Sequence, residues 1–122
     1  MISKAGAVIV LLVATVLSDA AAAETRVEYS KIQYLKNFAL SICIANGFKS
    51  DEVVKESRAA AGAYFEFGSL PIEAYEEAEL LGKKFLAKEY LSKSGAQLTL
   101  MKCIDLFHSE ELDQLAKKYI KK

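Results

Sequence analysis

Apolar residues in this chain recur at steps of three and four, and nowhere over a strand's length do they alternate with polar ones. That spacing admits helices that each bury one stripe and excludes a sheet. Ile32, Leu35, Phe38, Ala39, Ile42 and Cys43 form the first stripe, in a helix predicted over residues 26–46, with Gly47 as its left-handed C-terminal residue. Ser50 is the expected N-cap of a second helix, with Asp51 and Glu52 in its first turn. Val53, Val54, Ser57, Ala60, Ala61, Tyr64 and Phe65 follow at helical spacing, and the small residues at 58–63 would let a neighbouring helix approach closely. Gly68 ends this helix, and Pro71, the single proline, fits the first turn of a third. Ile72, Tyr75, Ala78, Gly82, Phe85 and Leu86 are expected on its inner side. Residues 92–97 are polar, small and centred on Gly95, which makes them the clearest loop. A fourth helix is predicted over 98–107 with Leu100, Met101, Ile104 and Phe107 as its apolar residues. Ser109 then caps a short fifth, in which Leu112, Leu115, Ala116, Tyr119 and Ile120 repeat by three and four. The expected fold is an all-α, single-domain bundle of about five helices.

The first residues are of another kind. Lys4 precedes an uncharged run at 5–17, and Ala21-Ala22-Ala23 supplies the small-x-small pattern that signal peptidase accepts. The run falls short of the roughly 20 apolar residues that span a bilayer. Residues 1–23 therefore read as a cleaved signal peptide rather than an anchor, leaving 24–122 as the helical domain. Export decides the reading of Cys43 and Cys103, the only two cysteines. In an oxidising compartment they form one disulfide, joining the first helix to the fourth; without export, two reduced thiols are the better reading. A loop of that length is worth on the order of 4 kcal/mol in the chain-entropy account.

Lysine plus arginine and aspartate plus glutamate number 16 each, so no basic excess points to nucleic acid or an anionic membrane. His108 is the only histidine and has no partner for a metal or a nucleophilic pair. Neither a phosphate loop nor a nucleophile elbow is present. No cofactor or metal is expected, and the chain reads as a binding protein rather than an enzyme. Glu73, Glu76, Glu77 and Glu79 make the third helix acidic, which fits a solvated face first and a protein-binding patch second. Among the aromatic residues Tyr64, Phe65, Phe67 and Tyr75, most must be core, and Phe67 is the candidate for exposure.

Three segments carry a resemblance. Tyr34-Leu35-Lys36-Asn37-Phe38-Ala39-Leu40-Ser41-Ile42-Cys43 is the first. Ala63-Tyr64-Phe65-Glu66-Phe67-Gly68 with Pro71-Ile72-Glu73-Ala74-Tyr75-Glu76 is the second. The third is Met101-Lys102-Cys103-Ile104-Asp105-Leu106-Phe107-His108-Ser109-Glu110-Glu111-Leu112. In this order, the chain resembles the immunity proteins of type VI secretion amidase effectors, of the fourth amidase family. The resemblance implies a periplasmic inhibitor of a papain-like cysteine amidase that cuts peptidoglycan stems between D-glutamate and diaminopimelate. It also implies a helical homodimer, a two-plus-two complex with the effector, and a protruding loop that enters the effector's groove. By position that loop is Ser92, Lys93, Ser94, Gly95, Ala96 and Gln97, with Glu73, Glu76 and Glu77 as a second contact.

A competing expectation is a periplasmic acid-stress chaperone, a class that also has small helical members with one disulfide. Protonating this chain's acids would leave its positive charges uncompensated and could drive opening. Suppression of client aggregation near about pH 2–3, where carboxylates are neutral, separates that reading from an inhibitor that simply unfolds.

Overall fold

Ser30, rather than the stretch from residue 26, starts the first helix. Its hydroxyl accepts from the Gln33 backbone at 3.2 Å, and the Gln33 side chain accepts from the Ser30 backbone at 3.1 Å. This reciprocal pair satisfies two of the donors that a helix start leaves open. The computed structural model describes residues 24–121; the expected signal peptide at 1–23 lies outside them. Among the described residues there are five helices and no strand. They are α1 (Lys31–Gly47), α2 (Asp51–Phe67), α3 (Ile72–Leu86), α4 (Thr99–Phe107) and α5 (Glu110–Ile120).

The hub is α1, which packs against each of the other four helices. Leu35, Leu106 and Leu112 are fully buried around it, together with Cys43 and Cys103. Each such leucine contributes about 1.5–3 kcal/mol relative to an exposed position. The disulfide joins Cys43 of α1 to Cys103 of α4 across a Cα–Cα distance of 5.7 Å, as the export reading expected. Lys36 of α1 pairs with Asp113 of α5 at 2.9 Å, and Ser109 caps α5 by accepting from the Leu112 backbone at 3.1 Å.

Five local expectations change. Gly47 closes α1 from within the helix, and the only left-handed residues described are Gly95 and Leu98. Close approach explains the glycine: a Cβ there would lie 2.5 Å from the Thr99 methyl and 2.7 Å from a Leu86 methyl. Ser50 occupies the N-cap of α2, but its side chain makes no capping bond. On α2 only Ala61 is buried; Gly62 faces open space, and Phe65 and Phe67 are each 42% exposed. The small-residue run therefore buries a single residue fully. On α3 the buried stripe is Ala74, Tyr75, Ala78, Leu81, Gly82 and Phe85. Ile72 lies roughly a third of a turn from its centre, given 3.6 residues per turn, and is 54% exposed.

The fifth change is a rotation of α4. The disulfide turns Cys103, Lys102 and Leu106 inward, so Leu100, Met101 and Ile104 are half-exposed. A short helix cannot satisfy both its covalent tie and its apolar count, and the tie sets the orientation. Before α1, residues 24–29 are non-helical, and Arg26 and Tyr29 reach the bundle. The Arg26 guanidinium sits 3.2 Å above the Phe67 ring and donates to the Tyr34 hydroxyl at 3.1 Å. Tyr29 packs edge-on against Tyr34 and Tyr64.

Candidate functional site

The connection between α3 and α4 runs from 87 to 98, twice the length of the loop legible in sequence. Ser92, Ser94 and Gly95 form its turn. The Gly95 N–H donates to the Ser92 carbonyl at 3.3 Å, the Ser92 and Ser94 hydroxyls lie 3.0 Å apart, and the Ser94 N–H donates to the Ser92 hydroxyl at 3.3 Å. Gly95 has φ +75°, which glycine adopts at no steric cost. Lys93, Ser94, Gly95, Ala96 and Gln97 are exposed, and Ser92 is half-buried. Leu91, just before them, is fully exposed. Behind the loop lies an open cleft of about 540 Å³, lined among others by Leu86, Tyr90, Ser92, Gln97 and Lys102.

The acidic start of α3 is built differently. Glu73 and Glu76 are exposed. Glu77 is half-buried and accepts from the Lys118 ammonium of α5 at 3.1 and 3.2 Å. A hydrogen bond to Glu77 pushes the Tyr119 hydroxyl above its ordinary pKa, followed by burial and by the charges of Glu77, Glu73 and Glu76. Glu77 thus ties α3 to α5. Beside this end, an apolar groove of about 380 Å³ runs between α2 and α3, with Phe65, Ile72 and Leu80 on its walls and Glu76 and Glu79 on its rim.

The structure does not bring the two expected contact regions together. Glu73 and the start of the loop stand at opposite ends of α3, separated by roughly 20 Å at 1.5 Å rise per residue. Three further residues escaped the sequence reading. Tyr90 donates its hydroxyl to Asp105 at 2.6 Å, which raises its pKa. Lys102, only 8% exposed, donates to the Leu86 carbonyl at 3.3 Å. For Leu91 and Tyr90 the available signal was an apolar pair with no helical partner; for Lys102 it was adjacency to Cys103.

What the arrangement offers is a surface. The cysteines are joined to each other, and His108 stands exposed at the α4–α5 junction with Phe107 packed edge-on. This is a small helical binding protein with a braced, outward loop. The family model of the Tai4 proteins, the type VI secretion system (T6SS) amidase immunity proteins, matches residues 33–116, from α1 into α5 and including both cysteines and the whole loop. The chain belongs to that family, whose members are immunity proteins rather than enzymes.

Solved structures agree. A chain in the structure of the effector–immunity system Tae4/Tai4 from Salmonella typhimurium is 40% identical, with a TM-score of 0.70 over 74% of this chain and 89% of that one. A structure from Serratia marcescens, described under new type VI-secreted toxins and self-resistance proteins, is 26% identical, with a TM-score of 0.66 over 78% and 85%. A complex of Tae4 from Salmonella typhimurium with the immunity protein Tai4 from Enterobacter cloacae matches at 22% identity and a TM-score of 0.67 over 76% and 99%, a likeness of fold. No curated protein matches the chain.

Proposed function

We propose that this protein is exported, loses residues 1–23, and in the periplasm binds a Tae4-like amidase effector, occluding its substrate groove with the 87–98 loop. The observation that carries this reading is the loop itself: a serine–glycine turn on a fixed base with a bare leucine beside it, in a chain of the amidase immunity family. The turn presents no group that would take part in amide cleavage, so inhibition is by filling the groove. Ser92, Lys93, Ser94, Gly95, Ala96 and Gln97 are its contact residues, with Leu91 added. Glu73, and Glu76 at the edge of the dimer face described below, act at longer range and raise the association rate with a basic effector more than the affinity. Glu77 belongs to the α3–α5 tie.

The protein acts as a homodimer, giving a two-plus-two complex. The outer face of α3 supports this, because it is charge-complementary to itself. Glu73 and Glu76 lie on one side of Leu80 and Lys83 and Lys84 on the other. Antiparallel pairing about Leu80 sets Glu76 of one copy opposite Lys84 of the second, twice over. Leu80 and Ile72, both largely exposed in the single chain, would be covered.

The test is a titration of the 24–122 protein into a fourth-family amidase, with peptidoglycan hydrolysis followed in the same mixture. Tight binding with loss of hydrolysis, weakened by alanine across 92–97, is the expected result. Full hydrolysis at saturating protein would remove the reading. N-terminal sequencing of the exported protein checks the cleavage, which should leave Glu24 first.

A further inference from the structure

The loop is fastened at both ends by one helix. At its exit, the backbone N–H of Lys102 donates to the Leu98 carbonyl at 3.0 Å, the bond that opens α4. At its entry, the ammonium of the same residue donates to the Leu86 carbonyl at 3.3 Å, where α3 ends. Its neighbour Cys103 is bonded to Cys43 of α1, so this double tie rests on the most buried part of the fold. Tyr90 adds a third point: its ring lies 5.7 Å from the Lys102 ammonium, and its hydroxyl reaches Asp105, one turn further along α4, at 2.6 Å. Leu98 is held at φ +54°, a left-handed conformation that a residue with a branched side chain keeps only where its surroundings fix it. Burying an ammonium is costly unless it is hydrogen-bonded, and an apolar residue would fill this place without that cost.

We propose that Lys102, Tyr90 and Asp105 are positioning residues that hold the 87–98 loop in its binding form before the effector arrives. The proposal rests on the loop being the effector contact. A segment that is ordered in advance loses little freedom on binding, whereas a loop in the right form a tenth of the time binds about tenfold more weakly. None of the three residues needs to touch the amidase.

Two readouts on the 24–122 protein test this. Trypsin cleavage after Lys93, an exposed site within the loop, reports loop order in the free protein. Titration into a fourth-family amidase reports its consequence. Tyr90→Phe and Lys102→Met are each expected to speed cleavage after Lys93 and weaken binding by about tenfold, the cost of a binding form populated a tenth of the time. Tyr90→Phe should leave the thermal midpoint unchanged. Asp105→Asn keeps an acceptor for the Tyr90 hydroxyl and should behave as wild type in both assays. Unchanged cleavage in Tyr90→Phe and Lys102→Met overturns the brace, whatever the protein binds. Faster cleavage with unchanged binding overturns its role in inhibition. Alanine across 92–97 reads the underlying assignment separately: if that variant binds as wild type, the loop is not the contact and the proposal falls with it.

Discussion

The two ends of α3 solve opposite problems. At the N-terminal end the half-buried acid serves the fold. Glu77 is held by Lys118, and Tyr119 leans on the same carboxylate. At the C-terminal end the polar groups hold a backbone: Lys102 and Asp105 fix the path of 87–98 and leave the tip unengaged. Residues that look alike in sequence, a set of glutamates and a serine–glycine loop, thus differ in what they have left to offer. At the acidic end Glu77 is occupied with α5 while Glu73 and Glu76 stay exposed, whereas the loop end is braced and open.

The contrast can be attacked at several points. The largest effect is expected from Cys43→Ser, which removes the tie between α1 and α4. Stability to urea should fall by about 2–5 kcal/mol, and the wild type under reducing conditions should fall by a similar amount. Next is Gly68→Ala, at the end of α2. A Cβ there would overlap the Tyr75 hydroxyl, and overpacking of this kind costs about 1–3 kcal/mol. If Gly68→Ala is as stable as wild type, the α2–α3 corner is looser than the buried Tyr75 implies.

A smaller effect should appear in base. Burial raises the Tyr75 hydroxyl, with the Leu70 backbone partly offsetting it, and the Asp105 and Glu77 carboxylates raise Tyr90 and Tyr119. Each of these hydroxyls stays neutral in the folded protein above its ordinary value of 10.0, where the unfolded chain has begun to ionise. Their contribution is therefore complete below that value and is lost as pH rises toward the raised ones. The urea midpoint should decline above that ordinary value, and Tyr75→Phe should decline less steeply. The smallest effect is Glu77→Gln. Its ion pair with Lys118 is partly solvent-exposed, which limits its worth to about 0.2–1 kcal/mol, measured as a small shift in thermal midpoint.

How much of this the sequence declares depends on whether a signal is local. Ser109 and the polar run at 92–97 act through their immediate neighbours and fall where the pattern put them, while Pro71 sits at the N-cap of α3, just before its first turn. The Ser30–Gln33 capping box was equally local, but the stretch before it reads as helix by composition alone. The two cysteines announce a tie without announcing its consequence. That Cys103 faces α1, and so turns Leu100, Met101 and Ile104 outward, follows only when the disulfide is placed in three dimensions. Lys102 is the least legible. A lysine on a short amphipathic helix belongs in solvent by every local rule, and only the Leu86 carbonyl, distant in sequence, makes its burial tolerable. Residues 92–97 are readable as a loop; the partners of Tyr90 and Lys102 are not, because they lie far away in sequence.

The most direct test of the central claim is the affinity of the 24–122 protein for a fourth-family amidase, set beside that of two variants: alanine across 92–97, and Glu73→Gln with Glu76→Gln. The account predicts that the loop variant loses at least about tenfold in affinity, ~1.4 kcal/mol, with its thermal midpoint unchanged. The double glutamine variant should lose chiefly association rate. Retained affinity in the loop variant, with the loss falling on the glutamates instead, would contradict it and move the effector contact to the other end of α3.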